Sequence, residues 1–263
     1  MEKIFNFSKA TLQRSLLGLS GVVGFFLLWQ VLLWIEVLNP NIMPSPLAVV
    51  QTFWDQLTNV RPTGATLPAH IISSFISAGY GFLIAVVVGV TLGTTMGWYK
   101  TLDRFIMPIF ELIRPIAPIA WIPLTILWIG IGTGARAFII FLSAVVPCVI
   151  NSHTGVRNTP EPLINVAKTC GATNFQIFRL TAIPYSLPMT FAGIRISLNN
   201  AWATLVGAEL LASNRGLGYM ILQGRQFARA DLIVVGMLTI GVIGYIISKL
   251  LMLLERKVLK WRV

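Results

Sequence analysis

The sequence predicts an all-α membrane protein of about six transmembrane helices, with a cytoplasmic helical segment between spans 4 and 5. Three observations predict it. First, 56% of the 263 residues are hydrophobic and only 11% are charged, where a soluble domain needs about a quarter charged residues to cover its surface. Second, charge-free runs at Ser15–Ile35, Ile71–Tyr99, Pro115–Ala135, Ala137–Ser152 and Leu232–Ser248 match the roughly 20 apolar residues that cross a bilayer. Third, the cations are unevenly distributed. With the N-terminus inside, the inside segments hold fourteen Lys and Arg and the outside segments five. That bias puts both termini in the cytoplasm. The net charge of +11 is therefore topological, and nucleic acid is not an expected partner.

Residues 1–263 read as a single transmembrane domain with spans near 15–36, 71–99, 108–132, 136–153, 188–211 and 231–254. The first run is too long to be a cleaved signal peptide. An outside segment, Val37–Ala69, holds five prolines and reads as loop and short interfacial helix. Span 2 carries Ser73, Ser77, Gly81, Ala85, Gly89, Gly93 and Gly97 at every fourth position, a stripe that lets another helix backbone approach closely. In span 3, Pro115, Pro118 and Pro123 bend or break the cytoplasmic end. Spans 3 and 4 meet in a tight turn near Gly130–Arg136. Beside the five charge-free runs, the fifth span in chain order, 188–211, is apolar except for Arg195 and Glu209.

The longest inside segment, about 153–187, contains two short helices within residues 159–180. Thr159 is placed to cap the first, Pro160 to open it, and Gly171 to end it in a left-handed conformation. Leu163, Val166, Ala167 and Cys170 share one face. Thr173 is placed to cap the second, which presents Phe175, Ile177 and Phe178. Such a pair suits docking into a groove on a soluble partner or lying on the membrane surface.

Within span 188–211, ionisable residues are expensive and so are functional candidates. Arg195, Asn199, Trp202, Val206 and Glu209 share one helical face, which is a candidate lining for a translocation path. Two other readings stand beside it: Arg195 snorkelling to the cytoplasmic interface, and Glu209 partnering a loop arginine. His70 and His153 fall at span ends, Cys148 within a span and Cys170 in an inside segment. They suggest neither a metal site nor a disulfide.

Residues 165–188, NVAKTCGATNFQIFRLTAIPYSLP, resemble the cytoplasmic signature of binding-protein-dependent ABC importer permeases. Ala167, Gly171, Leu187 and Pro188 stand at matching places, while Asn165 replaces the usual Glu and Val166 the first Ala. Pro44-Ser45-Pro46, Pro118-x-x-Trp121-x-Pro123 running to Trp128-x-Gly130-x-Gly132, and Ala208-Glu209 followed by Gly216-x-Gly218-Tyr219 resemble one subgroup, the permeases of nitrate, sulfonate, taurine and bicarbonate importers. The resemblance implies a homodimeric pore, two cytoplasmic ATPase subunits and an extracytoplasmic solute-binding protein. It also implies that 159–180 is the coupling segment, with Asn165, Val166, Ala167, Cys170, Gly171, Phe175, Leu187 and Pro188 at the ATPase contact. The sequence itself has no G-x-x-x-x-G-K-[ST] loop, so the expectation is a non-enzymatic transport subunit without a cofactor, ATP and Mg belonging to the partner ATPase. The same subgroup includes importers of vitamin precursors and aromatic acids. A stand-alone ion-coupled transporter would instead show paired acidic residues at mid-membrane and inverted repeats, and an intramembrane enzyme a catalytic pair. None of these features is visible.

Overall fold

A computed structural model describes residues 42–258, together with 27–35 and Ser20, Gly21 and Gly24. Of the expected first span, 15–36, residues 15–19, 22, 23, 25, 26 and 36 lie outside the described residues. Its described residues are helical up to Trp34, and Trp29 and Leu33 are buried against Val49, Leu67, Leu217 and Met220. The remaining helices are α1 (Pro46–Thr58), α2 (Leu67–Trp98), α3 (Lys100–Ile113), α4 (Ile122–Ile129) and α5 (Thr133–Arg157). They are followed by α6 (Glu161–Thr169), α7 (Asn174–Ile177), α8 (Ile183–Ala212), α9 (Leu217–Gln226) and α10 (Ala230–Val258). No strand occurs among the described residues.

Three described helices, α2, α5 and α10, are long and apolar enough to cross a membrane. A fourth crossing arises if Lys100–Ile113 and Pro118–Ile129 form one broken span, bent by 83°. The expected span 108–132 is therefore two pieces. Pro115 and Pro118 supply no N–H, and a residue before proline is pushed out of the α region; Ala117 accordingly sits at φ −57°, ψ 132°. The 30-residue α8 includes the expected span 188–211. Its polar residues keep it below the hydropathy of the other three.

The core is assembled from small residues. α2 lies parallel to α5 along its small-residue stripe, and α8 runs antiparallel on the far side of α5. A Cβ on Gly81 would lie 2.6 Å from the Ala137 carbonyl, one on Gly93 2.4 Å from that of Val149, and one on Gly97 2.6 Å from that of His153. From α8, Ser197 Oγ donates to the Ala144 carbonyl at 2.5 Å, and Gly193 packs against Asn151 and Pro147. Large apolar side chains such as Leu83, Val87, Leu127 and Tyr245 point outward. Lipid accepts apolar surface, so close backbone approach replaces side-chain burial as the source of helix association. Gly93→Ala is expected to cost about 1–3 kcal/mol by overpacking. Gly79→Ala, whose Cβ meets nothing within 4 Å, serves as control. Thermal unfolding in detergent measures the difference, and equal midpoints would contradict this packing account.

Candidate functional site

At one end of the bundle, α6 and α7 form a hairpin on the tips of α2 and α5. α6 opens at Pro160, in extended conformation, and carries Glu161 in its first turn and Lys168 in its last, each favourable to the helix dipole. Thr159 does not cap it, contrary to the sequence reading. Its hydroxyl instead donates to the Val156 carbonyl at 2.7 Å. α6 ends as the sequence predicts: Gly171 has φ +79°, its N–H donates to Lys168 O at 2.9 Å, and the Ala172 N–H reaches back to Ala167 O at 3.1 Å. This is the paired bond pattern that stops a helix at a left-handed residue. Thr173 then caps α7 in a reciprocal box with Gln176.

From α7 the backbone stays helical through a π turn, Phe178–Ala182, directly into α8. Ile177 and Phe178 are buried, and the Phe178 ring lies 5.7 Å from Trp98 and 5.9 Å from Tyr99. Nearby, Asp103 accepts from His153 Nε2 at 2.9 Å and lies 3.5 Å from Arg157. The π turn that follows the hairpin thus packs on the end of α2 through Trp98, and beside it α3 is tied to α5. Its outer surface is apolar and uncovered: Leu163, Val166, Phe175 and Leu180 are exposed, with Val166 at 64% and Phe175 at 60%. Of the residues matched to the signature, Asn165, Val166, Cys170, Gly171 and Phe175 are exposed on the hairpin and Ala167 is half-buried. Leu187 and Pro188 are half-buried further along, in α8.

The Arg195–Glu209 face divides between two neighbours. Arg195 Nη2 meets Glu255 at 3.2 Å, the Asn199 side-chain oxygen accepts from Ser248 at 3.1 Å, and Trp202 Nε1 donates to the Ile240 carbonyl at 3.0 Å. All three partners are on α10. Glu209 is fully buried on the opposite course, toward α2 and α9.

Around Glu209 lies a polar cluster at the other end of the bundle. Its carboxylate accepts from Ser74 Oγ at 2.7 Å and from the Gly218 N–H at 2.8 Å, and Arg136 stands 3.5 Å away. Arg136 also donates to the Arg215 carbonyl at 2.9 Å, to Ser73 and to Thr133. His70 Nδ1 accepts from the Gly216 N–H at 3.1 Å. The segment 213–218 is thereby pinned between α2, α5 and α8. The geometry accounts for the Gly216-x-Gly218 spacing: a Cβ at Gly216 would lie 2.2 Å from the Glu209 carboxylate, and one at Gly218 2.8 Å from the Glu209 Cβ. Sequence reasoning placed His70 at a span interface, where the structure buries it fully, left Ser74 unassigned and gave Glu209 only an unnamed loop arginine. The available signal was charge parity, because a carboxylate within a span calls for a cation, and Arg136 heads the neighbouring span.

Residues 85–261 match the family described as binding-protein-dependent transport system inner membrane component. The chain is 37% identical over 260 residues to a putative ABC transporter permease of Methanocaldococcus jannaschii, covering 98% of this chain and 94% of that one. It is 31% identical to the taurine transport system permease of Escherichia coli K12 (89% and 85% covered) and 28% identical to the bicarbonate transport system permease of Synechococcus elongatus (93% and 90%). In fold it resembles a chain of the MetNI methionine ABC transporter in an inward-facing conformation, with a TM-score of 0.52, 20% identity, and coverage of 79% of this chain and 98% of that one. The relation spans both the hairpin and the glycine-bearing segment 213–218, and the chain belongs to the inner-membrane permease components of binding-protein-dependent ABC importers.

Proposed function

We propose that two copies of this chain form the pore of an importer for a small anion of the sulfonate, taurine, nitrate or bicarbonate type. In this reading the hairpin of residues 159–180 is cytoplasmic, as are both termini, and docks into a separate ATPase subunit. An extracytoplasmic solute-binding protein delivers the anion to the Glu209 end. The observation that carries the reading is mechanical: an exposed apolar hairpin joined without a helical break to α8, from Asn174 to Ala212. Closure of two ATPase subunits would push the hairpin, and α8 would follow as a rigid body and alternate access between the two sides. The names of the taurine, sulfonate and bicarbonate permeases among the relatives support the anion class. The test is co-expression with the cognate ATPase. The expected result is copurification as two copies of each chain, with ATP hydrolysis present in the complex and none in the permease alone. An active, ATP-independent monomer would overturn the proposal.

A further inference from the structure

The break between α3 and the turn Pro118–Trp121 opens a cavity of about 280 Å³ whose lining includes Phe110, Arg114, Trp121, Ser143, Val146 and Asn200. At about 30 Å³ per water, that is room for about nine waters, enough for a solute of a few heavy atoms. Ser143 and Asn200 lie in the middle reaches of α5 and α8, so the cavity sits at mid-depth. The charge tally groups Arg114 with the inside cations. In the structure Arg114, though exposed, lines the same cavity as these mid-span positions.

Arg114 makes no ion pair or side-chain hydrogen bond among the described residues, although Glu111 lies one turn away on the same helix. Ser143 is already engaged, donating to the Asn200 carbonyl at 3.3 Å and accepting from Thr204 at 2.7 Å. Asn200 and Trp121, which also line the cavity, have side-chain N–H groups engaged by no hydrogen bond among the described residues. A cation at mid-depth is expensive and marks a pathway by default. A guanidinium presents a planar fork of N–H donors that matches an oxyanion in bidentate fashion. Arg114 carries the charge on the cavity lining, whose other residues are neutral.

Resting on the anion-importer reading, we propose that Arg114, with the Asn200 amide and the Trp121 indole, forms a subsite for the oxyanion group of the transported solute at the α3–α4 break. A lipid phosphate shares that chemistry, and the test separates the two sources. Asn200→Cys is introduced in a Cys170→Ser background, Cys148 being fully buried, and Val146→Cys gives a second reporter should the first variant fold poorly. The purified permease–ATPase complex is treated with methanethiosulfonate reagents of equal size ending in a sulfonate or in a trimethylammonium group. The expected result is a sulfonate reagent faster by about tenfold, slowed by soluble ethanesulfonate, with the preference erased by Arg114→Gln. Equal rates for the two reagents, or a preference that survives Arg114→Gln, would overturn the proposal. Slowing by anionic lipid but not by ethanesulfonate would overturn it in favour of a headgroup site. The importer reading fails separately, if the wild-type complex shows no ATP-dependent uptake of any small anion.

Discussion

Glu209→Ala is expected to lower the stability of the folded permease by about 3–5 kcal/mol, the range for breaking a buried ion pair from one side. The substitution leaves Arg136, itself buried, without the carboxylate it pairs with among the described residues. It also leaves the Gly218 N–H and Ser74 without the acceptor they share. Arg136→Leu is expected to be comparably damaging, since the carboxylate then keeps only neutral donors. Glu209→Gln retains an oxygen for Gly218 and is expected to be milder, near the 1–3 kcal/mol of one weakened buried polar group. Gly216→Ala should mimic the loss of Glu209, because its Cβ occupies the carboxylate's own position. Thermal unfolding in detergent, followed by size-exclusion chromatography, ranks the four variants. A Glu209→Ala midpoint equal to that of the wild type would show that the cluster contributes nothing to the stability of that end of the bundle.

Gly171→Val and Ala167→Asp are expected to leave the protein in the membrane and to abolish communication with the ATPase. A Cβ at Gly171 meets no neighbour within 4 Å, so the cost is conformational. A non-glycine residue at φ +79° loses about 1–2 kcal/mol, and a β-branched one also re-aims α7. Gly171→Asn, which tolerates the left-handed region, is the control and should retain most coupling. Ala167 is half-buried on the hairpin, and a carboxylate there would need solvent that a docked partner excludes. Asn165→Ala should be mild, because Asn165 is exposed and its side chain makes no hydrogen bond among the described residues, while its backbone carbonyl accepts from Thr169 at 2.9 Å.

The features legible in the sequence are those set by local geometry. The glycine stripe of α2 announced a close helix contact because a four-residue period defines one helical face. Gly171 and Thr173 announced a turn because positive φ and side-chain capping are properties of single residues. The features that escaped depend on partners distant in sequence. Ser74 and Glu209 are 135 residues apart, and Arg195 finds Glu255 across 60; no periodicity encodes either pair. Thr159 has the right residue type and place for a cap, yet the preceding helix offers its hydroxyl the Val156 carbonyl first. The short α9 was not anticipated, since its burial of Leu217 and Met220 depends on the pinned segment before it. The prolines of span 3 predicted a break, but not that Arg114 would face a cavity there.

The account's central claim is that residues 159–180 couple this chain to ATP hydrolysis elsewhere. Its most direct test is ATP hydrolysis and anion uptake measured together in proteoliposomes holding permease, ATPase and solute-binding protein. The account predicts that substrate-loaded binding protein stimulates hydrolysis and uptake in the wild type. Gly171→Val and Ala167→Asp, at equal membrane abundance, should lose both the stimulation and the uptake. Normal coupled transport by both variants would contradict the account and make the hairpin a membrane-surface element.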